Sequence, residues 1–464
     1  MIKRPDSVFQ QLLKSAADPA RTVVLKGGFV VSMDSGLGDQ QADVRITGNR
    51  IDAVGPGLAD SASDDVIVID AVGCIVLPGL IDSHVHAWEG QLRGTDPGAD
   101  FDQYMAITHG GVAEHMTPED VAIGQRITAS QAINGGVTTI VDNSHNSRTA
   151  EHSDAAIAAL RESGIRAVHA VGAPVSGSSG AHLPADLLRL RSEYFSSKDQ
   201  LLTLRMFDMM PSIESWSFAG DNEIDVVAEI GMWVPELDTL FESKLMHPGH
   251  TYNHCSGLSS RQWDLIAESG AAVNVVPRSD SQFGLGAFVP VLAALRRGIQ
   301  IGLSCDNEIS YGYDIFTEMR VLLTVQRGLS FQAQFAGEKN VPARFTPTDV
   351  LRAATLGGAR NAGLIDSVGS ITPGKRADLV LLDLDHVHTQ PFGSWHGTIV
   401  NWANIANVDT VFVDGQVRKW AGRLVGLDYD ALVRAGESSR ERLWGALGVT
   451  VDEIRRSSFP GAAA

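Results

Sequence analysis

The chain has 464 residues, of which 44% are hydrophobic and 20% charged, and its formal net charge is −18 at pH 7. This length allows one large domain and a smaller one. No apolar run approaches the roughly 20 residues that cross a bilayer, so we expect no membrane partner. The acidic balance argues against nucleic acid as a partner, because phosphate binding needs a concentrated Lys/Arg surface.

The cysteines and the first residues of the chain indicate the cellular compartment of the protein. Cys74, Cys255 and Cys305 are an odd number of thiols spread far apart in sequence. They indicate reduced, buried side chains and not a disulfide framework. Residues 1–6 lack the apolar core of a signal peptide. We therefore expect a cytoplasmic protein.

The N-terminal part predicts a helix followed by strands. Residues 1–20 form a helical arm in this prediction, because apolar side chains recur there at helical spacing, at Val8, Phe9, Leu12 and Leu13. From residue 21 to residue 77 the apolar period falls to two, between Gly- and Asp-rich turns, and Gly48–Ile51 is a plausible hairpin turn. This pattern predicts the first part of a small β domain.

The segment 76–86 leads from a Pro-Gly break through a short apolar run to His84 and His86. On a strand, side chains two residues apart point to the same side. Imidazole is the commonest protein ligand for metals such as zinc, so the pair predicts half of a metal site. The alternative is two strand histidines that are merely satisfied polar groups.

Beyond His86, strand-like runs alternate with helical segments. The helix after the first strand has a good start at Thr117-Pro118-Glu119-Asp120, and further strands are predicted at 138–142, 165–171 and 201–210 and near Thr251, Ala271 and Ile301. This alternation is typical of βα units around a parallel sheet. Eight units over residues 78–365 make a (β/α)8 TIM-like barrel, whose chemistry lies at the C-terminal ends of the strands.

After the barrel the period of two returns, at 379–383 and 408–417. These strands should pair with the N-terminal ones. The small β-sandwich domain is then discontinuous, with its second part at 366–425, and residues 426–464 form a helical cover. The predicted fold class is α/β.

Several segments, in order, resemble motifs of the amidohydrolase superfamily, in the branch of cytosine deaminase and the triazine hydrolases. The resemblance covers about residues 22 to 425, through the segments 78–86, 136–142, 252–255, 275–286, 302–306, 353–361 and 369–380. It implies a homo-oligomer and one divalent ion. Zinc is the first choice, with iron or manganese as alternatives, because first-row ions compete for such sites.

The resemblance also implies the ligands. In that branch the ion is held by two first-strand histidines, a fifth-strand histidine and an eighth-strand aspartate, which match His84, His86 and Asp306 here except at the fifth strand. His254 matches the sixth-strand histidine that assists proton transfer, and it is an alternative ligand.

The fifth-strand motif, His-x-x-Glu, is where the chain departs from the family. Within 225–237, the four residues Trp233-Val234-Pro235-Glu236 keep the glutamate and lose the histidine. Glu236 is then the predicted proton shuttle, or itself a ligand, since zinc and iron accept carboxylate oxygen.

Substrate contacts are expected in the loops after the strands. Polar and aromatic side chains follow the first two strands, at Trp88, Arg93, Tyr104, His109, Asn143, His145 and Asn146. Trp88 and His145 are the candidates we select, together with Arg278 after the seventh strand. The alternative for each is a purely structural role.

These features predict a hydrolase that cleaves a carbon–nitrogen bond of a small molecule, an amide, carbamate, urea or ring amidine, with metal-activated water. Asp306 would accept the water proton and His254 would stabilise the developing oxyanion. One alternative is deamination of an aminated heterocycle, favoured if Glu236 is the shuttle beside the metal. The other is a metal-free protein that performs a non-hydrolytic step or only binds a small molecule.

Overall fold

The computed structural model describes residues 4–60, 63, 65–177 and 180–456. The outer ends of the predicted arm and cover, residues 1–3 and 457–464, lie outside the described residues. The chain begins with one helix and five strands: α1 (Asp6–Lys14), β1 (Thr22–Val30), β2 (Gln40–Thr47), β3 (Arg50–Gly55), β4 (Ile67–Asp70) and β5 (Cys74–Pro78). Strands β2 and β3 form the predicted hairpin, with Gly48 at its turn in a left-handed conformation (φ 58°).

A barrel of eight parallel strands follows. Its strands are β6 (Leu80–Val85), β7 (Val137–Ser144), β8 (Arg166–Val171), β9 (Leu202–Asp208), β10 (Val226–Gly231), β11 (Thr251–Ser256), β12 (Ala272–Val275) and β13 (Ile301–Leu303). A parallel bridge between Val85 and Asp306 joins the first strand to the end of the eighth. The predicted α/β barrel is confirmed.

Helices surround the barrel. Those between β6 and β13 are α2 (Phe101–Ile107), α3 (Pro118–Asn134), α4 (Ala150–Ser163), α5 (Asp186–Tyr194), α6 (Ile213–Asp221), α7 (Leu237–Glu242), α8 (Ser260–Ser269), α9 (Pro277–Gln282) and α10 (Val291–Arg296). Beyond β13 lie α11 (Ile315–Phe335), α12 (Pro347–Arg352), a π-helical turn at Ala353–Gly357, and α13 (Gly358–Asn361). Helix α3 begins as the sequence predicts: Thr117 and Asp120 form a reciprocal capping box that satisfies two otherwise unpaired backbone N–H groups.

The chain then returns to the first sheet through β14 (Leu379–Asp383), α14 (Trp395–Asn401), β15 (Val408–Val413), β16 (Gln416–Trp420) and β17 (Arg423–Leu424), and ends in α15 (Tyr429–Ala446) and α16 (Val451–Arg456). Strand β14 pairs antiparallel with β5, so sequence-distant strands share one nine-stranded mixed sheet. Arg166 on β8 anchors this sheet to the barrel with ion pairs of 2.9 Å to the buried Asp378 and to the half-buried Asp414.

The barrel strand β10 is buried on both faces, and its alternate side chains pack in two different clusters. Side chains on the outer face of the barrel, such as Val226, Ala228 and Ile230, pack in the main core with the helices. Val227 lies in a separate interior cluster with Val141 and Val168. The cysteines Cys74, Cys255 and Cys305 are buried free thiols. Among the described residues, no helix combines the length and the hydropathy needed to cross a membrane.

Candidate active site

His84 and His86 meet Asp306 where the barrel closes. Nε2 of His84 lies 2.9 Å from Oδ1 of Asp306, and Nε2 of His86 lies 3.3 Å from the same oxygen. All three side chains are buried. The first and eighth strands, which are neighbours only because the barrel closes, therefore bring the predicted ligands together.

Asp306 is held as an oriented, ionised carboxylate. Its other oxygen, Oδ2, accepts a short hydrogen bond from Ser279 Oγ, which leaves Oδ1 facing the two histidines. Burial would raise the pKa of Asp306, but the hydrogen bonds and positive charges of His84, His86 and His254 outweigh burial and hold that pKa well below its usual range.

His254, at the end of β11, faces the same centre. Its Nδ1 lies 2.8 Å from Oδ1 of the buried Asp280, and its Nε2 lies 3.3 Å from Oε2 of Glu229. Burial lowers the pKa of His254, but the hydrogen bond to Asp280 and the nearby carboxylates outweigh burial and raise it to about 10. Asp280 thereby fixes the ring so that Nε2 points into the site.

Glu229 is the fifth-strand residue at the site, and the sequence analysis missed it. It is buried, its Oε1 lies 3.6 Å from His84 Nδ1, and it accepts a hydrogen bond of 3.2 Å from Asn253. The fifth-strand carboxylate that reaches the site is therefore Glu229 and not Glu236, and Val226, three residues earlier on the same strand, packs in the apolar outer core. The available signal was a single carboxylate inside the apolar run 226–230.

The structure does not bring Glu236 to the site. It is exposed and precedes α7, because β10 ends at Gly231 and the chain has already turned outward. Trp233 lines the pocket above the cluster and stacks on Phe101, with ring centroids 6.3 Å apart, so it does not occupy the space between the histidines.

The three candidate substrate-binding residues differ in their position relative to the pocket. His145 lines the pocket beside His86. Trp88 is fully buried behind His145, with ring centroids 5.5 Å apart, and is not in the lining. Arg278 is bound to the buried Glu318 and lies 4.1 Å over the ring of Tyr311, so its guanidinium is committed to structural contacts.

The donor set fits a divalent ion. Two overlapping groups, His84/His86/Asp306 and His84/Glu229/His254, have ligand atoms within 4.8 Å of one another. His86 Nδ1 lies 3.2 Å from the Asn143 carbonyl, which can only accept, so Nε2 is left free for a metal. Glu229 Oε2 is buried without a hydrogen-bond partner, as expected where a cation or a substrate proton completes the site.

The chain is similar in sequence to proteins of one family. The model of the amidohydrolase family matches residues 75–234 and 221–418. A 5-methylthioadenosine/S-adenosylhomocysteine deaminase of Desulforudis audaxviator is 27% identical over 433 residues, 87% of this chain and 95% of that protein. A 5'-deoxyadenosine deaminase of Methanothermobacter thermautotrophicus is 26% identical over 89% of this chain and 97% of its own length.

Two solved structures share the fold. An adenosine deaminase from Xanthomonas campestris with bound zinc superposes with a TM-score of 0.78 at 23% identity, covering 91% of this chain and 98% of its own. An atrazine chlorohydrolase from Arthrobacter aurescens complexed with zinc gives 0.77 at 20% identity, covering 90% and 99%. At these identities the structures bear on the architecture alone.

Proposed function

The chain belongs to the amidohydrolase family and is a hydrolase of carbon–nitrogen bonds other than peptide bonds, and from this premise we propose that it is a metal-dependent deaminase of a small aminated heterocycle. The observation that carries the proposal is the position of Glu229. Its Oε2 makes no hydrogen bond and lies 3.3 Å from His254 Nε2, beside the histidine cluster, where a proton must move from water to a leaving nitrogen.

We assign the ion to His84, His86 and Asp306, with His254 and Glu229 adjoining it. Zinc is the first choice, supported by the zinc named in two structural relatives. A divalent ion in such a site lowers the pKa of its water from 15.7 to roughly 7 and so supplies a nucleophile at neutral pH.

Side chains of the protein then transfer the protons and stabilise the charge that develops. Water contributes the oxygen that replaces the amine on the ring carbon, and one of its protons ends on the nitrogen that leaves as ammonia. Glu229 carries that proton, because its Oε2 makes no hydrogen bond and faces His254 Nε2 at 3.3 Å, while its Oε1 is fixed by Asn253. His254, held by Asp280, presents Nε2 to the negative charge that develops on the ring.

Compartment and assembly are part of the proposal. We place the protein in the cytoplasm, supported by its three free thiols, since a protein of an oxidising compartment more often pairs its cysteines in disulfides. A homo-oligomer is supported by the exposed stacked pair Phe331 and Phe335 on α11, whose ring centroids lie 6.1 Å apart. Light scattering after size exclusion would measure the mass.

The test is release of ammonia by zinc-loaded protein from a panel of aminopurines, aminopyrimidines and aminotriazines, with amides, ureas and carbamates as a second panel. Ammonia from the first panel that disappears after chelation supports the proposal. Turnover confined to the second panel would replace deamination with amide-type hydrolysis. The metal-dependent mechanism would be refuted if the protein binds no metal after reconstitution. It would also be refuted if the chelator leaves the activity unchanged.

A further inference from the structure

The cavity above the histidine cluster is small. Its volume is about 240 Å³, below the roughly 300–1,000 Å³ of sites for drug-sized ligands. The floor consists of His86, Glu229, His254 and Asp306. A substrate that reaches the floor with its reacting carbon must therefore place the rest of its atoms against the side walls.

The side walls are apolar. Their largest apolar members come from four separate segments of the chain and are Phe101, Met105, Met209, Trp233, Phe283 and Leu285. Two aromatic pairs give the walls their shape, since Phe101 stacks on Trp233 and Tyr104 stacks on Phe283, with ring centroids 6.3 and 5.1 Å apart. Flat aromatic faces favour a flat, apolar ligand.

Tyr104 and His145, two of the polar side chains on these walls, already have partners. The hydroxyl of Tyr104 donates to the buried Glu89 at 2.8 Å and so points away from a ligand. Nε2 of His145 lies 3.3 Å from Nε2 of His109, and Nδ1 of His145 lies 3.2 Å from the Asn143 carbonyl. Among the described lining residues, carboxylates occur only at the floor, and no lysine or arginine is present.

This arrangement discriminates between substituents. A ribose hydroxyl buried against the walls would lose its hydrogen bonds to water and find few replacements, at a cost of about 1–3 kcal/mol for each unsatisfied group. An alkyl group in the same place gains about 0.8 kcal/mol for each buried CH₂. The two effects act in the same direction.

We infer that the substrate is a compact, uncharged heteroaromatic amine with an apolar substituent, and not a nucleoside. The inference rests on the proposed deaminase function and specifies its substrate class. It separates this chain from the relatives named above for adenosine derivatives. Val175 and Met210, exposed at the pocket rim, extend the apolar surface outward, and the flexible methionine can adapt to substituents of different shape.

The decisive comparison keeps the reacting amine constant. 9-Propyladenine, adenosine and 5'-deoxyadenosine carry the same aminopurine, so ammonia release by the zinc-loaded enzyme reports on the substituent alone. We expect kcat/KM to be at least about tenfold higher for 9-propyladenine. Equal or better use of adenosine would overturn the inference and leave the deaminase function standing.

Measured binding affinities test the inference even if the enzyme releases no ammonia from these compounds. Zinc-loaded Glu229→Gln protein, titrated calorimetrically with 9-propyladenine and with adenosine, should bind the alkyl compound at least about tenfold more tightly. Equal affinity, or no binding of 9-propyladenine at about 1 mM, would overturn the inference. Absence of ammonia from every amine, with this preference intact, would instead refute the deaminase function.

A variant at the half-buried pocket rim tests the wall itself. Met209→Gln adds hydrogen-bonding groups without opening a core cavity, and it should reduce the preference for 9-propyladenine over adenosine about threefold or more while zinc content stays unchanged. Val387→Gln, at a fully exposed apolar residue outside the pocket, is the control and should leave the preference unchanged. An unchanged preference in Met209→Gln would contradict the assignment of this wall to the substituent.

Discussion

His84 and Asp306 hold the barrel closed with their backbones and face each other with their side chains. The amide of Asp306 donates to the carbonyl of His84 at 3.0 Å, and the side chains of the same two residues meet at 2.9 Å. Two of the proposed ligands are therefore fixed by the seam between the first and eighth strands. Binding of an ion there should strengthen the seam as well as activate water.

Metal removal should lower both activity and stability. A ligand that binds only the folded state stabilises it by about 2.7 kcal/mol at a concentration 100 times its Kd. We expect chelated protein to lose activity and melt several degrees lower, and zinc to restore both, as measured by differential scanning calorimetry. The His86→Ala variant is the control, and its melting temperature should respond to zinc much less.

Glu229→Gln should lower kcat about 10²–10⁴-fold, because an amide cannot carry the proton to the leaving nitrogen. The zinc content of the variant is measured beside that of the original protein and kcat is compared per bound zinc, because Glu229 also belongs to a possible ligand group with His84 and His254. The matched control is Glu236→Gln, the same change at an exposed residue, which should keep kcat within about twofold. A larger loss in Glu236→Gln than in Glu229→Gln would reverse the assignment of the shuttle.

Asp280→Asn should lower kcat about 10–100-fold with a smaller change in KM, because the neutral amide no longer fixes and charges the His254 ring. The pKa of His254 should fall from about 10 toward its ordinary value in the metal-free protein, which NMR titration of the imidazole can follow. Asp238→Asn, at an exposed aspartate, is the control. Unchanged kcat in Asp280→Asn would exclude this positioning role.

Lys419 should make stability rise with pH in alkaline solution. Burial lowers its pKa from 10.5 to about 8, while its Nζ donates to the Asn134 carbonyl at 2.7 Å. Between pH 8 and 10.5 the unfolded chain therefore holds a proton that the folded chain has lost, so folding gains stability as pH rises, by roughly 3 kcal/mol over the window.

The Lys419→Met variant tests this linkage. Urea unfolding at pH 7.5 and pH 10 should show a free energy of unfolding that rises less in the variant than in the original protein. The comparison cancels contributions from other titrating groups. An identical pH response in both proteins would show that Lys419 titrates normally in the folded state.

Much of the architecture was predictable because its signals are local. The change from a period of two to alternating strands and helices identified the sheet and the barrel, and the Thr117 cap located the start of α3. His84 lies on β6 and His86 directly follows that strand, so their spacing of two predicted that both point to one side. Asp306 could be matched because it ends the segment 302–306, which resembles the eighth-strand motif of the family.

Tertiary structure alone decided the rest of the site. Which carboxylate of the fifth segment faces the centre depends on how β10 pairs with β9 and β11, and that register put Glu229 inside and left Glu236 exposed. The pairing of Asp280 with His254 and the burial of Arg278 against Glu318 join residues 26 and 40 positions apart. Contacts between distant segments depend on the packing of the whole barrel, because no local period records which side chains the closed sheet will bring together.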